Sequence, residues 1–442
     1  MSQNRGNIAA SSRSRRDFLR GATLLTAGAA AAASLSVSRA VHAAGSDAIR
    51  VGLVGCGGRG CGAAVNALNA DRGARLVAVA DAFQDRLDGS VERLRKAKPD
   101  QVAVDRDHRF AGFEACDRLI ASGVDVVLLA TPPHFRPLHL AACVAAGKHV
   151  FCEKPMAVDA PGIRAVEAAC QQAKQKNLSI VSGLCYRHDP GIQETMKRVR
   201  DGAIGKIVAI QETYNTATPW FRNRKREPNW TEMEYQVRNW YPFTWLSGDH
   251  NVEQHVHSLD KACWALGDRP PLKAWGMGGR QRREEPAIGN IYDHHAVVYE
   301  YTGGVRVCSF CRRQDGCANE MSDRFLGTRG RAELMKHVIE GESPWRYRGK
   351  KGNMYDAEHV VLFQSIRRSA PVNDGSFMTL STMMAILGRM TTYTGQEITW
   401  EQAIHSKESL AHARYAWDAA PPVLPNADGQ YPQALPGITR FA

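Results

Sequence analysis

Two stretches of this chain combine side chains and spacings suited to chemistry. The first is Gly55-Cys56-Gly57-Gly58-Arg59-Gly60, with an acid, Asp81, 21 residues beyond Gly60. Glycines at this spacing permit a tight turn and let the backbone approach a pyrophosphate at a helix N-terminus, while the acid can accept hydrogen bonds from adenosine ribose hydroxyls. Gly55, Gly57, Gly58, Arg59, Gly60 and Asp81 are therefore candidate dinucleotide ligands. Asp81 repels a 2′-phosphate and so favours NAD, and Arg86 nearby keeps NADP open as the alternative. The second stretch runs from His250 through Glu253 and His255 to His257. On a helix, residues 250, 253 and 257 share one face, so a carboxylate can orient or polarise an imidazole one turn away. Zinc favours the same residue types at the same spacing. Acid–base use is the preferred reading, with no metal.

These groups need elements to position them. An apolar strand from Ile49 runs directly into the glycine motif, and an Ala-rich helical segment follows to about Ala70. Further apolar runs lie at 75–80, 124–130 and 149–152, with a helix across 139–146. Such alternation predicts an α/β, parallel, doubly wound Rossmann domain over residues 45–172. From Leu178 onward the segments become β-branched and alternating, as at 206–213, 296–301 and 305–312, the last two joined by the turn Thr302-Gly303-Gly304. Helices are expected over 252–266 and 378–393. An α+β domain with a mainly antiparallel open sheet is the natural reading for 173–425, with an irregular tail over 426–442.

Three further segments carry a resemblance. Ala130-Thr131-Pro132-Pro133-His134 is followed by Ala146-Gly147-Lys148-His149-Val150-Phe151-Cys152-Glu153-Lys154-Pro155, then by Gly183-Leu184-Cys185-Tyr186-Arg187-His188-Asp189-Pro190. Together with His257-Ser258-Leu259-Asp260, they resemble the glucose-fructose oxidoreductase / inositol dehydrogenase (Gfo/Idh/MocA) family. The resemblance implies that Thr131, Pro132 and His134 lie near the cofactor and that Lys154 points toward the reacting carbon, assisted by Glu153, with the Lys154–Pro155 bond in the cis form. It makes His257 the general base toward a substrate hydroxyl, with Glu253 standing where the family usually has Asp. Arg187 either touches cofactor or substrate, or forms a salt bridge across the domain junction. An ammonium beside a carbinol oxygen stabilises negative charge as hydride leaves. Family members act on sugars, inositols and sugar acids. The expected activity is NAD(P)-dependent oxidation or reduction of a secondary hydroxyl on a sugar, glycoside or cyclic polyol, within a homo-oligomer, dimer or tetramer.

Composition bounds these readings. With 442 residues, 44% hydrophobic and 23% charged, the chain suits a soluble two-domain enzyme. Ser14-Arg15-Arg16-Asp17-Phe18-Leu19-Arg20 precedes a weakly apolar stretch from Gly21 to Leu35, and small residues surround Ala43 and Ala44. That is a twin-arginine leader over residues 1–43, read by the twin-arginine translocase and directing the protein to the periplasm. It carries a net +5 of the chain's +12. The remaining basic runs lack regular aromatic interleaving, so no nucleic-acid partner is expected. An exported enzyme meets no pool of free nucleotide, so the NAD is expected to be tightly held. Two rival readings follow. One is a glycoside hydrolase or lyase that oxidises, eliminates and reduces on retained NAD. The other is a non-catalytic, nucleotide-holding binding protein. Trp220, Phe221, Trp230, Trp240, Tyr241 and Trp245 crowd one stretch, either to stack on sugar rings or to anchor a subunit interface. Eleven cysteines, an odd number, cannot all pair within one chain, and Cys308 and Cys311 fall on opposite faces of a strand.

Overall fold

The computed structural model describes residues 47–219, 226–281 and 289–441. The leader expected over 1–43, and Trp220 and Phe221, lie outside the described residues. From Ile49 onward the chain is built around two sheets. The first contains β1 (Ile49–Val54), β2 (Ala74–Asp81), β3 (Arg109–Ala111), β4 (Val126–Leu129), β5 (His149–Cys152) and β6 (Ile180–Ser182), in the order β3-β2-β1-β4-β5-β6. Every pairing in it is parallel. β4 shows why these runs are continuously apolar: Val126 and Leu128 enter one core, while Val127 and Leu129 enter another on the opposite face. A parallel sheet covered on both faces requires this.

The sheet does not stop at residue 172, which falls within the Ala160–Gln175 helix; β6 extends it to Ser182. A later segment also joins it. The Met354–Arg367 helix, read from the sequence as part of the second domain, supplies Leu362, Phe363 and Ile366 to the core that contains Val51 and Leu53 of β1. Beyond it, the Val372 carbonyl accepts the Ile180 N–H at 2.8 Å. Burial of these apolar side chains outweighs their distance in sequence, since each fully buried one contributes roughly 1.5–3 kcal/mol.

The second sheet contains β7 (Ile207–Thr216), β8 (Lys273–Gly279), β9 (His294–Glu300), β10 (Arg306–Arg313), β11 (Glu320–Gly327), β12 (Gly330–Glu333), β13 (Val338–Gly341), β14 (Trp345–Arg346) and β15 (Ile398–Thr399). Their order is β14-β13-β12-β11-β7-β10-β9-β8-β15. Pairings are antiparallel except β7 with β10, which is parallel. The turn after β9 has Gly303 and Gly304 at φ +83° and +78°, where a Cβ would strain the backbone. The Val256–Ala265 and Gly375–Thr394 helices pack against each other and share a core with Val297, Tyr299 and Val307 of the sheet. Val208, Met277, Phe310 and Met321 are exposed.

The helix expected over 252–266 is interrupted. His250–Glu253 forms one short turn, and a second helix starts at Val256. Between them His255 is buried, its Nε2 2.7 Å from the Ser309 hydroxyl of β10. Ahead of the first turn, Asp249 stands at φ +76°. Its carboxylate accepts the Tyr292 N–H at 2.9 Å and the Tyr393 hydroxyl at 2.6 Å, which hold the residue in this conformation. After the Trp400–Ile404 helix no further helix or strand occurs among the described residues, yet the terminal segment is anchored. Leu410 donates its N–H to Asp159, Trp417 stacks on Phe83 at 5.1 Å, and Tyr431 packs edge-on against Phe243 at 4.9 Å.

Candidate active site

A cavity of about 830 Å³ runs from the glycine motif to Lys154 and His257. At its first end the Gly58–Ala70 helix begins directly after β1, at the point where the strand order reverses between β1 and β4. Gly60 is indispensable to this packing, because a Cβ there would lie 1.8 Å from the Gly55 carbonyl oxygen. At Gly55, with φ +96°, a Cβ would lie 2.6 Å from the Ala130 carbonyl carbon and 2.8 Å from the Thr131 nitrogen. Gly57 and Gly58 face open space, with nothing within 4 Å of an added Cβ. The loop thus leaves backbone N–H groups uncovered at a helix N-terminus, which suits a pyrophosphate. Asp81 closes the loop from β2: its carboxylate accepts the Cys56 N–H at 2.7 Å and the Phe83 N–H at 3.0 Å. Burial pushes its pKa up. Asp81, Thr131 and Pro132 all line the cavity, so the described residues fit a dinucleotide.

Arg59 lines the cavity beside the glycine loop and also holds acidic partners. Its guanidinium pairs with Glu153, reaches Glu358 at 3.4 Å and lies 4.8 Å over the Tyr355 ring. Burial and the neighbouring Glu153 push the Glu358 carboxyl well above the usual range. Arg59 therefore fixes Glu153 in the cavity wall, which both residues line.

At the second end the Lys154–Pro155 peptide is cis. Arg136, fully buried, donates to the Pro155 carbonyl and to the Thr131 carbonyl, both at 2.7 Å, and so ties the turn after β5 to the loop after β4. The Lys154 ammonium donates to the Glu253 carbonyl and, at 3.1 Å, to its carboxylate. Glu253 is thus the partner of Lys154. The helical spacing suggested a contact with His257 instead, but the interruption at Gln254 and His255 separates the two. His257 lies edge-on to Tyr186, with centroids 5.3 Å apart, and its Nδ1 has no hydrogen-bond partner. Burial first, then the cations Lys154, Lys261 and Arg59, hold its pKa well below the usual histidine range. At neutral pH it is an uncharged imidazole able to take a proton.

Two expected site residues are placed elsewhere. His134 lies outside the cavity lining; its Nε2 is 2.7 Å from the Tyr415 hydroxyl, and its ring meets Phe135 and Trp245 edge-on. Burial lowers its pKa to about 4. Arg187 makes the junction salt bridge, doubly to Asp260 and also to Asp268, with its guanidinium 3.9 Å from the Phe377 ring centroid. The aromatic stretch divides: Trp245 is buried against His134, whereas Trp240 and Tyr241 line the cavity. Of the histidines considered for a metal, His250 approaches Asp249 and His295 rather than Glu253 or His257. All eleven cysteines are free thiols.

Comparison with known proteins adds to this geometry. The family described as an oxidoreductase family with an NAD-binding Rossmann fold, Gfo/Idh/MocA, matches residues 49–182. The chain is 26% identical over 202 residues to 2,7-anhydro-N-acetylneuraminate hydratase of Escherichia coli, a match that spans 46% of this chain and about half, 49%, of that relative. It is 29% identical to inositol 2-dehydrogenase of Rubrobacter xylanophilus over 65% of this chain and 72% of that one. It is 27% identical to a glycosyl hydrolase family 109 protein of a Shewanella species over 82% and 76%. The fold matches that of aldose-aldose oxidoreductase from Caulobacter crescentus, with a TM-score of 0.61 and 19% identity, over 80% of this chain and 99% of that one. The glycine loop, the β-strand order and the cis-proline turn thus stand in an NAD-binding Rossmann domain, over residues that match the Gfo/Idh/MocA oxidoreductase family model.

Proposed function

We propose that this protein is an NAD-dependent oxidoreductase that moves a hydride to or from a secondary hydroxyl carbon of a sugar, glycoside or cyclic polyol. The observation that carries this is one cavity joining the glycine loop to an ammonium, Lys154, and an uncharged, half-buried imidazole, His257. Gly57 and Gly58 would receive the pyrophosphate, and Asp81 would meet the ribose. The nicotinamide, when bound, supplies the hydride acceptor. Everything else falls to the chain itself. An ammonium has three N–H groups; two bond to Glu253, which leaves one for the carbinol oxygen. As the C–H bond breaks, the oxygen gains negative charge, and a donor fixed beforehand stabilises it without reorganisation. His257 takes the hydroxyl proton. Inositol 2-dehydrogenase among the relatives supports a polyhydroxylated substrate.

The long match to the family 109 glycosyl hydrolase favours a second reading. There the same substrate is oxidised, loses its aglycone by elimination, gains water and is reduced again, so that no reduced cofactor accumulates. Retained NAD, loaded before twin-arginine export to the periplasm, accords with that cycle. The test is a panel of sugars, glycosides and inositols offered to the purified protein, with the nicotinamide absorbance and the products followed together. Product with rising absorbance supports the dehydrogenase, and product without it supports the hydrolase. Neither, with nucleotide still bound, supports the non-catalytic nucleotide-holding protein.

A further inference from the structure

Gln254 falls at the helix interruption, between Glu253 and His257 in sequence, and lines the same cavity as both. Its amide is held from two sides. The carbonyl oxygen accepts the Tyr241 hydroxyl at 3.1 Å, and the NH2 donates to the Tyr214 hydroxyl at 3.2 Å. Tyr241 is buried and packs on Trp240, with ring centroids 5.5 Å apart, and Trp240 also lines the cavity. Tyr214 comes from β7, beneath the guanidinium of Arg313 at 5.2 Å from the ring centroid. A side-chain amide offers two N–H donors and two carbonyl lone pairs. The two tyrosines take one of each. One donor and one acceptor remain, on a side chain whose rotation both tyrosines oppose.

That pairing matches a hydroxyl, which can accept from the free N–H and donate to the free lone pair at once. We propose that Gln254 is a specificity-determining residue that reads a substrate hydroxyl other than the one oxidised. Tyr241 and Tyr214 are its positioning residues. The adjacent Trp240 indole offers a flat apolar surface to the C–H face of a six-membered ring. The substrate class is therefore a pyranoside or cyclitol that carries a free hydroxyl beside the reacting carbinol. This rests on the oxidoreductase reading and narrows it. A fixed amide also rejects an analogue that lacks the hydroxyl, because its polar atoms would then be buried unpaired.

The experiment compares the NAD-bound wild type with Gln254→Ala and Tyr241→Phe. The probes are myo-inositol, methyl α-D-glucopyranoside, methyl β-D-glucopyranoside and the monodeoxy analogues of each. Calorimetric titration reads binding, steady-state rates read KM and kcat, and mass spectrometry confirms that nucleotide is retained. The wild type is expected to bind one deoxy analogue about tenfold more weakly than its parent. In Gln254→Ala the parent's KM rises by a similar factor, kcat falls less, and discrimination at that one position disappears. Tyr241→Phe loses part of the same discrimination and no other. Unchanged discrimination in Gln254→Ala, or an equal loss at every position, overturns the assignment. If sugars bind with the expected Gln254 dependence but none is turned over, the reaction reading fails and the subsite stands. If no probe binds the wild type, the subsite as described is refuted.

Discussion

The two ends of the cavity are made in opposite ways. The dinucleotide end is backbone: four glycines, a helix N-terminus and one buried carboxylate, within some thirty residues of continuous chain. The end proposed for the substrate is side chains: Lys154 from the turn after β5, Glu253 and His257 from either side of a broken helix, and Trp240 and Tyr241 from the aromatic stretch. A backbone site depends on conformation and tolerates changes in most side chains. A side-chain site depends on the partners that hold each group, so its chemistry is lost one residue at a time.

That contrast can be broken by substitution. His257→Ala is expected to lower turnover by about 10²–10⁴, the worth of a placed general base, while bound nucleotide stays stoichiometric. Equal loss of nucleotide, by mass spectrometry of the denatured protein, would show that the two ends are not separable. Lys154→Ala should cost about 10²–10³ in kcat, again with nucleotide kept, and full activity there would remove the ammonium from the mechanism.

A pH titration sharpens the same division through stability. Burial holds His134, His139, His188 and His359 at about 4 and His255 at about 3. Below the unfolded value of about 6.5, the unfolded chain binds protons that the fold refuses, so stability falls as pH drops toward 4. Asp374, raised to about 6, works against this over its own interval, because there the fold keeps a proton that the unfolded chain releases. Asp81, Glu212 and Glu358, also raised by burial, act in the same sense as Asp374, and His250 and His257 are lowered like the other five, so seven histidines outnumber four acids. A Tm lower at pH 4.5 than at pH 7.5 is expected, and an equal or higher Tm at pH 4.5 contradicts it.

Gly60→Ala inverts the catalytic substitutions. The new methyl group collides with the Gly55 carbonyl, so nucleotide is lost and stability falls by about 1–3 kcal/mol, measured by denaturant unfolding. The smallest effect is expected from Tyr415→Phe, which leaves His134 Nε2 without its partner at a cost of about 1 kcal/mol and no change in substrate preference.

The same contrast explains what could be read beforehand. The glycine motif, Asp81 and Lys154-Pro155 were legible because each is a short run whose neighbours in sequence are its neighbours in space. The parallel sheet followed from the alternation of apolar strands with helices, whereas the order of its strands did not. Glu253 was recognisable, but its partner was not, since helical spacing points to His257 and only the insertion of His255 against β10 breaks that helix. Arg136 and Glu358 gave no signal: the one is a buried cross-link between two loops, the other sits on a helix that returns to the first sheet after more than 150 residues. A cavity-lining Gln between Glu253 and His257 could have been suspected from position alone. His134 and Arg187 lie in matching motifs, yet their side chains found Tyr415, which no motif contains, and Asp260, which belongs to the motif of His257 rather than to their own.

The terminal segment bears on the order in which the site can be built. Phe83, Phe113 and Phe135 line the cavity near the glycine loop, and Tyr415 and Trp417 pack behind them, with Trp417 4.4 Å from Phe113. Synthesis delivers the glycine motif more than 350 residues before these two aromatics. The nucleotide mouth therefore remains unbacked until both aromatics have left the ribosome, and firm cofactor capture waits on their arrival rather than on the glycine motif alone.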